Sequence, residues 1–184
     1  MEKATQPRAF YGSFFHTPEY GSFEYLERAL IEVGEDGAIE RVIAHDDPDQ
    51  AAALAKAREA GTLYELGEGR FGLPGFVDIH IHSPQWPQAA LALDEPLYRW
   101  LDERTFPLES KFADVDFAKK VYSDLVDQLL ARGSTTAVYL GSAHLEATVA
   151  LAEICAERGQ RALVGKTVMD DPAANPDYYR DASP

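Results

Sequence analysis

The stretch that decides the fold is Leu73-Pro-Gly-Phe-Val-Asp-Ile-His-Ile-His-Ser-Pro-Gln85. Its Pro-Gly pair is a strong turn signal, so we predict that a strand begins at Phe76. Because successive side chains of a strand point to opposite faces, His80 and His82 share one face with Asp78. Apolar side chains take the other face of the strand, which we predict to be buried: Val77, Ile79 and Ile81.

The two histidines of this strand are the candidate metal ligands. Imidazole nitrogens on one face, at the end of a strand, can bind one metal ion together, and zinc commonly takes such ligands. A His-x-His pair is a weak signal alone, because histidines at this spacing are often ordinary polar residues. A buried histidine needs a hydrogen-bond partner or a metal, so the predicted burial of the strand favours the metal interpretation.

Composition excludes several classes of partner. The 184 residues include 17 basic and 31 acidic side chains, which gives a formal net charge of −14. This charge disfavours binding to a nucleic-acid backbone or an anionic membrane. It does not disfavour an uncharged nucleobase in a pocket. The hydrophobic fraction of 46% is sufficient for a packed core.

The cellular compartment is predicted from cysteine usage and from the absence of targeting signals. Cys155 is the only cysteine, so no internal disulfide forms and a reducing compartment is the natural interpretation. The first residues lack the apolar run of a signal peptide, and no stretch approaches the length of a membrane span. We therefore expect a cytoplasmic protein.

The first seventy residues predict small β-structure with one helix. Strands are predicted at 9–17, 30–33, 39–44 and 63–66, and the Asp36-Gly37 pair predicts a hairpin turn between the second and third strands. The Ala-rich stretch at 49–61 predicts a helix that ends at Gly61.

The pattern after residue 70 is strand, helices, strand, helix, strand. Helices are predicted at 94–105, at 114–132 with Asp114 as the cap and Gly133 as the stop, and at 143–158. Strands are predicted at 135–140 and, fully buried, at 161–169, and the tail at 170–184 is predicted to be loop. This order is typical of a parallel α/β sheet.

The same residues carry a family resemblance. Pro74-Gly-Phe-Val-Asp-Ile-His-Ile-His82 resembles the first barrel strand of the amidohydrolase superfamily. Further segments are similar to the guanine deaminases of that superfamily: 82–85, 97–109 with Trp100-Leu101, Thr105-Phe106-Pro107 and Glu109, 116–118, 133–137 and 159–166. The similarity extends over nearly the whole chain and is densest from 73 to 170.

The resemblance implies an α/β fold in two parts. Residues 1–70 would be the N-terminal part of a small β-sandwich domain. Residues 71–184 would form the first three strands of a (β/α)8 barrel of the TIM type. Active sites of that fold lie at the C-terminal ends of the strands, where His80 and His82 are found. Such an open piece of barrel exposes a sheet edge, so we expect the isolated chain to associate.

The resemblance also implies the chemistry, which is zinc-dependent deamination of guanine to xanthine and ammonia. One zinc ion would be bound by His80 and His82, together with a third histidine and an aspartate from later strands. The substrate would contact His82, Ser83, Pro84 and Gln85. Asp78 would support the site without binding the metal. The complete enzyme is expected to be a homodimer.

Other parts of that site lie outside these 184 residues. After residue 85 the only histidine is His144, and that part of the chain contains no His-x-x-Glu motif. No catalytic residue is therefore assigned within the chain, the expected glutamate would follow downstream, and the chain is predicted to be inactive alone. The alternatives are another amidohydrolase, acting on an aminopurine, cytosine or a chloro-triazine, or a non-catalytic truncated product that associates with a partner.

Overall fold

A computed structural model describes residues 6–181. It divides the chain into two compact units, one that ends at Pro74 and one that begins at Gly75. The division lies slightly beyond residue 70 because the short strand Phe71–Gly72 pairs with the first strand of the chain. We describe each unit by itself.

The first unit is a five-stranded sheet with one helix. Its elements are β1 (Ala9–His16), β2 (Glu24–Val33), β3 (Ile39–Ile43), α1 (Gln50–Glu59), β4 (Leu63–Glu65) and β5 (Phe71–Gly72). The strand order is β3-β2-β1-β4, with β5 also paired to β1. The predicted hairpin is confirmed, because β2 and β3 are antiparallel. Its turn includes Gly37 with a φ of 82°, a conformation that glycine adopts without strain.

The second unit has the predicted alternation of strands and helices. Its strands are β6 (Phe76–His82), β7 (Ser134–Leu140) and β8 (Arg161–Gly165), which form a parallel sheet in the order β6-β7-β8. Its helices are α2 (Leu97–Trp100), α3 (Phe106–Glu109), α4 (Val115–Ala131) and α5 (Leu145–Arg158). Segments of 3₁₀-helix occur at Ser83–Gln88, Ser110–Ala113 and Asp177–Tyr179.

The core of the second unit lies between α4, α5 and the sheet. It is built from the following buried side chains: Phe112, Ala118, Tyr122, Leu125, Val126, Ala137, Tyr139, Ala147, Leu151, Ile154 and Cys155. Cys155 is therefore a core residue, and burial raises the pKa of its thiol to about 11. Such a thiol carries little thiolate at neutral pH.

The start of β6 is fixed by a close approach of the backbone to β7. A side chain at Gly75 would overlap that of Thr135, so only glycine fits there. The next residue, Phe76, donates its backbone N–H to the carbonyl of Gly133 at 2.7 Å. The Pro-Gly pair thus places the first residue of the strand beside the end of α4.

The Asp114 cap that begins α4 is confirmed, and its removal is our first testable prediction. The carboxylate accepts hydrogen bonds from the backbone N–H groups of Asp116 at 2.9 Å and Phe117 at 3.2 Å. We expect Asp114→Ala to lower the free energy of unfolding by about 1 kcal/mol, because these groups lose their partner. Urea denaturation measures the change. Asp114→Asn is the control, because its side-chain oxygen still caps the helix, and equal losses in both variants would contradict the capping role.

Two predictions of buried strands are wrong. In β6, Val77 and Ile79 are 63% and 74% exposed. The last strand, predicted at 161–169, ends at Gly165, and Leu163 within it is 70% exposed. Strand β6 and strand β8 are the two edges of the sheet, so apolar composition did not translate into burial there.

The helix predicted at 94–105 also differs from the structure. It begins at Leu97, and the helical run continues past Pro107 to Ala113. Residues Leu101–Thr105 form a π turn, in which the N–H of Phe106 reaches back to the carbonyl of Leu101. Pro107 lies in α3, directly after the π turn, and because proline has no N–H it interrupts the hydrogen-bond ladder of the run there.

None of the helices described between residues 6 and 181 is both long enough and apolar enough to cross a membrane.

Candidate active site

The two histidines of β6 converge at the C-terminal end of the strand. Their Nε2 atoms are 3.1 Å apart, and the ring centroids are 5.1 Å apart with the rings inclined by 41°. Two nitrogens that bind one tetrahedral zinc at roughly 2.0–2.1 Å are separated by about 3.3 Å. The observed spacing is close to this value, and it is also the distance of a hydrogen bond between the two rings.

Asp78 lines the same cavity as His80 and His82. Asp78 is in register with Ala137 and Ile81 with Tyr139, so β6 contains an irregularity between Asp78 and Ile81. Such a bulge breaks the strict alternation of side chains. The carboxylate of Asp78 accepts a hydrogen bond from the backbone N–H of His80 at 3.1 Å. It therefore supports the backbone of the candidate ligand.

An open cavity of about 390 Å3 adjoins both imidazoles. This volume is within the roughly 300–1,000 Å3 that small-molecule sites occupy. Its polar wall consists of Asp78, His80, His82, Gln85 and Gln88, and its apolar wall includes Trp86, Trp100, Leu125 and Leu129. Trp86 is held in place because its indole N–H donates to Asp124 at 2.6 Å. The cavity combines ring-stacking surface with a few polar groups beside the candidate ligands.

Gln85 belongs to this wall, and its side chain is hydrogen-bonded to a buried carboxylate that does not line the cavity. Its side-chain Nε2 donates to Oε1 of Glu109 at 2.9 Å, and Glu109 is only 5% exposed. The other oxygen of Glu109 accepts from the hydroxyl of Tyr179 at 2.6 Å. In the sequence, Glu109 stands out only as part of a motif similar to the family, and Tyr179 lies in a predicted loop. No local pattern joins residues that are 70 positions apart.

Ser83 and Pro84, two of the predicted substrate-binding residues, are fully buried. The hydroxyl of Ser83 donates to the carbonyl of Leu140 at 3.2 Å, which ties the turn after β6 to the end of β7. Neither residue is on the cavity wall described above. Their direct contact with a substrate stays a prediction.

The C-terminal tail reaches the same end of the sheet. Tyr179 is buried and accepts a hydrogen bond from the backbone N–H of Ala143 at 3.1 Å. Asp181 pairs with Lys166, with 2.8 Å between Nζ and Oδ1. His144 lies at the start of α5, as predicted, and its ring centroid is 5.8 Å from that of Tyr179. The ion pair and the hydrogen bond thus fix the position of the tail. Residues 182–184 are outside the described part of the chain.

The pKa of His82 is lowered from its ordinary value. The largest cause is burial, which disfavours the charged ring, and the neighbouring His80 lowers the pKa further, while the charge of Glu109 opposes both effects. His80 and His82 are both exposed, so the predicted burial of these two rings is wrong and solvent screens these interactions. A neutral imidazole at neutral pH is the form that binds a metal.

We expect His82 of the metal-free chain to titrate below the ordinary histidine value of about 6.5. Because the unfolded chain then takes up the proton first, the stabilisation from this group is complete above about pH 6.5 and is lost as the pH falls through the folded-state pKa. An NMR titration of the ring C–H signals measures it. In His80→Gln the pKa of His82 should rise, because a neighbouring positive charge is removed. A pKa of His82 at or above 6.5 in the unmodified chain would contradict the expectation.

Within residues 6–181 no group of three or more His, Cys, Asp or Glu side chains converges to hold a metal ion. Catalytic zinc normally has three protein ligands. His80 and His82 are two candidate ligands, fewer than such a site requires.

Comparison with known proteins identifies related sequences. Residues 71–183 match the amidohydrolase family. The guanine deaminase of Dictyostelium discoideum is 39% identical to this chain over 180 residues, which are 94% of this chain and 39% of that protein. The guanine deaminase of Homo sapiens is 36% identical over 171 residues, which are 92% of this chain and 37% of that protein. The chain thus spans less than two fifths of the length of these curated relatives.

A solved structure shows the same architecture. The guanine deaminase from C. acetobutylicum, crystallised with guanine in its active site, superposes with a TM-score of 0.79 at 30% identity. The match covers 95% of this chain and 39% of that one. The predicted partial barrel of the α/β class is confirmed by this similarity and by the parallel order of β6, β7 and β8.

Proposed function

We propose, from the premise that this chain belongs to the amidohydrolase family, that it forms the N-terminal part of a guanine deaminase. The reaction is the hydrolytic deamination of guanine to xanthine and ammonia. The chain supplies two metal ligands and one wall of the base-binding cavity. The remaining ligands and the glutamate that transfers protons belong to later barrel strands, so this chain alone does not catalyse the reaction.

The observation that carries the proposal is the convergence of His80 and His82. Their Nε2 atoms are 3.1 Å apart at the edge of a cavity that can accommodate a planar ring. The donor chemistry and spacing fit zinc. When bound, zinc lowers the pKa of a coordinated water toward 7 and so makes a nucleophile available at neutral pH. The lowered pKa of His82 supports this role, because the neutral ring keeps its lone pair for the metal.

The cavity wall supports the choice of a purine. The indole of Trp86 offers an apolar face beside the ligands, and Gln85 offers an amide in the same wall. A planar base with several hydrogen-bonding groups requires this combination of stacking surface and polar contacts. We assign substrate contacts to His82 and Gln85, with Ser83 and Pro84 shaping the turn that holds them. The division into a β-sandwich part and a barrel part, the homodimer and the cytoplasmic location are retained as proposals.

A chimera tests the proposal. The chain replaces the matching 180-residue segment of the Dictyostelium discoideum guanine deaminase, which then supplies the later strands. We expect zinc-dependent release of ammonia from guanine by the chimera and none by the chain alone. Parallel assays with adenine, cytosine and a chloro-triazine cover the alternative amidohydrolases. A folded chimera that ignores guanine, or that prefers another ring, would overturn the assignment, and activity of the chain alone would overturn its dependence on later strands.

A further inference from the structure

The side-chain amide of Gln85 is held in one orientation by a series of hydrogen bonds that passes through Tyr179 of the C-terminal tail. The backbone N–H of Ala143 donates to the hydroxyl oxygen of Tyr179 at 3.1 Å. That hydroxyl then donates to Oε2 of Glu109 at 2.6 Å, and Oε1 of Glu109 accepts from Nε2 of Gln85 at 2.9 Å. The hydroxyl of Tyr179 thus both accepts and donates, whereas the carboxylate of Glu109 accepts at both of its oxygens.

The chemistry of these groups decides which of them donates and which accepts in each hydrogen bond. An ionised carboxylate only accepts hydrogen bonds, so the group of Gln85 that faces Glu109 must be the NH2 group. The hydroxyl of Tyr179 is kept protonated, because burial and the charge of Glu109 raise its pKa. It therefore remains a donor to Glu109. The carbonyl oxygen of Gln85 is left for the cavity, and within residues 6–181 it accepts no hydrogen bond from the protein.

Glu109 is an unusual residue to bury for packing alone. It is 5% exposed, and no Lys, Arg or His among the described residues lies within salt-bridge distance of it. A buried carboxylate without a cationic partner is costly unless its hydrogen bonds are made. An apolar or amide side chain would fill the same space at lower cost. Only a carboxylate accepts hydrogen bonds at both oxygens here. The NH2 group of Gln85 therefore faces Glu109, and its carbonyl oxygen faces the ligand.

We propose that Glu109, held by Tyr179, is a positioning residue that makes Gln85 present its carbonyl oxygen to the substrate and so selects a base with an N–H donor at that edge. This inference rests on the proposed function and adds the specificity determinant. Guanine carries N–H donors on its ring and on its exocyclic amine. Adenine has an unprotonated ring nitrogen at the edge where guanine carries the ring N–H, and two acceptors facing each other are repelled.

The substitution Glu109→Gln tests the proposal because we expect it to reverse the orientation of the Gln85 side-chain amide. The hydroxyl of Tyr179 still requires an acceptor, so the new side chain turns its oxygen to Tyr179 and its NH2 group to Gln85. Gln85 then turns its oxygen inward and presents NH2 to the cavity. Glu103→Gln is the matched control, because Glu103 lies on the same helical run and bonds the exposed Arg99 at 3.1 Å.

The first measurement uses the chain itself and requires no ligand. NMR of the side-chain amide of Gln85 reports its hydrogen bond to Glu109. We expect Glu109→Gln to speed hydrogen exchange of this NH2 group by about 10-fold, the effect of one lost hydrogen bond, while Glu103→Gln leaves it unchanged. An unchanged amide in Glu109→Gln would overturn the proposal whether or not the chain belongs to a guanine deaminase.

The second measurement uses the chimera. We expect Glu109→Gln to lower kcat/KM for guanine by about 10-fold or more, since an acceptor is replaced by a donor at the substrate. We also expect adenine to bind more tightly to the variant as a competitive inhibitor. If kcat/KM for guanine and the affinity for adenine fell by the same factor, Glu109 would only stabilise the fold. That result would overturn the specificity role. A chimera that is inactive with native residues would instead contradict the proposed function and leave the NMR result to decide the orientation.

Discussion

Replacing His80 and His82 together by alanine in the chimera is expected to lower kcat/KM for guanine by at least about 10³-fold. Metal-ion catalysis contributes several kcal/mol to transition-state stabilisation, and each 1.36 kcal/mol corresponds to a factor of ten in rate. The two imidazoles are 3.1 Å apart at Nε2, so the double replacement removes both candidate ligands at once. Steady-state ammonia release and the zinc content of the purified protein are measured together.

The control for this prediction is His45→Ala. His45 is exposed in the first unit and is outside the candidate site, so its replacement should leave both activity and zinc content unchanged. Retention of stoichiometric zinc after loss of His80 and His82 would contradict their assignment as ligands. Loss of activity with unchanged zinc would indicate that the histidines act on the substrate instead.

The largest expected effect on stability is that of Leu151→Ala. Leu151 has no exposed surface and lies in the core between α5, α4 and the sheet. Truncating a fully buried leucine costs about 2–5 kcal/mol, because apolar contacts are lost and a cavity is left. We expect a loss of about 3 kcal/mol in the free energy of unfolding. The two tryptophans of the chain, Trp86 and Trp100, are both in the second unit, so their fluorescence in urea reports this unit.

Leu145→Ala provides the comparison within the same helix. Leu145 is 57% exposed at the first turn of α5, and exposed substitutions of this kind change stability by less than about 0.5 kcal/mol. A similar loss in both variants would show that the helix is insensitive to burial. It would then contradict the description of the core around Leu151.

Local signals in the sequence predicted much of the fold. The Asp36-Gly37 turn and the Asp114 cap are set by residues within a few positions, and both occur as expected. The strand with His80 and His82 was also predictable, because a Pro-Gly turn and β-strand alternation require only neighbouring residues. These features depend on short-range geometry, which sequence patterns report directly.

Features that depend on distant residues could not be predicted in this way. Strand β8 ends at Gly165 because Thr167 turns toward the end of β7, where its hydroxyl donates to the carbonyl of Gly141 at 2.6 Å. The contact between Tyr179 and Glu109 joins the tail to a helix far away in sequence. The irregularity after Asp78 arises from pairing with β7 and has no signature within β6. The sequence therefore predicted His80, His82 and Gln85 as site residues. It did not predict the contacts of Glu109 and Tyr179 that hold Gln85.

The π turn at Leu101–Thr105 has a consequence for how related sequences can vary. A π turn closes over one more residue than an α turn, and each residue of an α-helix advances the chain by about 100° around the axis. The extra residue therefore sets the rotational phase of α3, and with it the direction of the Glu109 carboxylate. A descendant that lost one residue here would keep its glutamate but rotate it by more than a quarter turn. Deletions in this segment are thus expected to be rarer among relatives than substitutions.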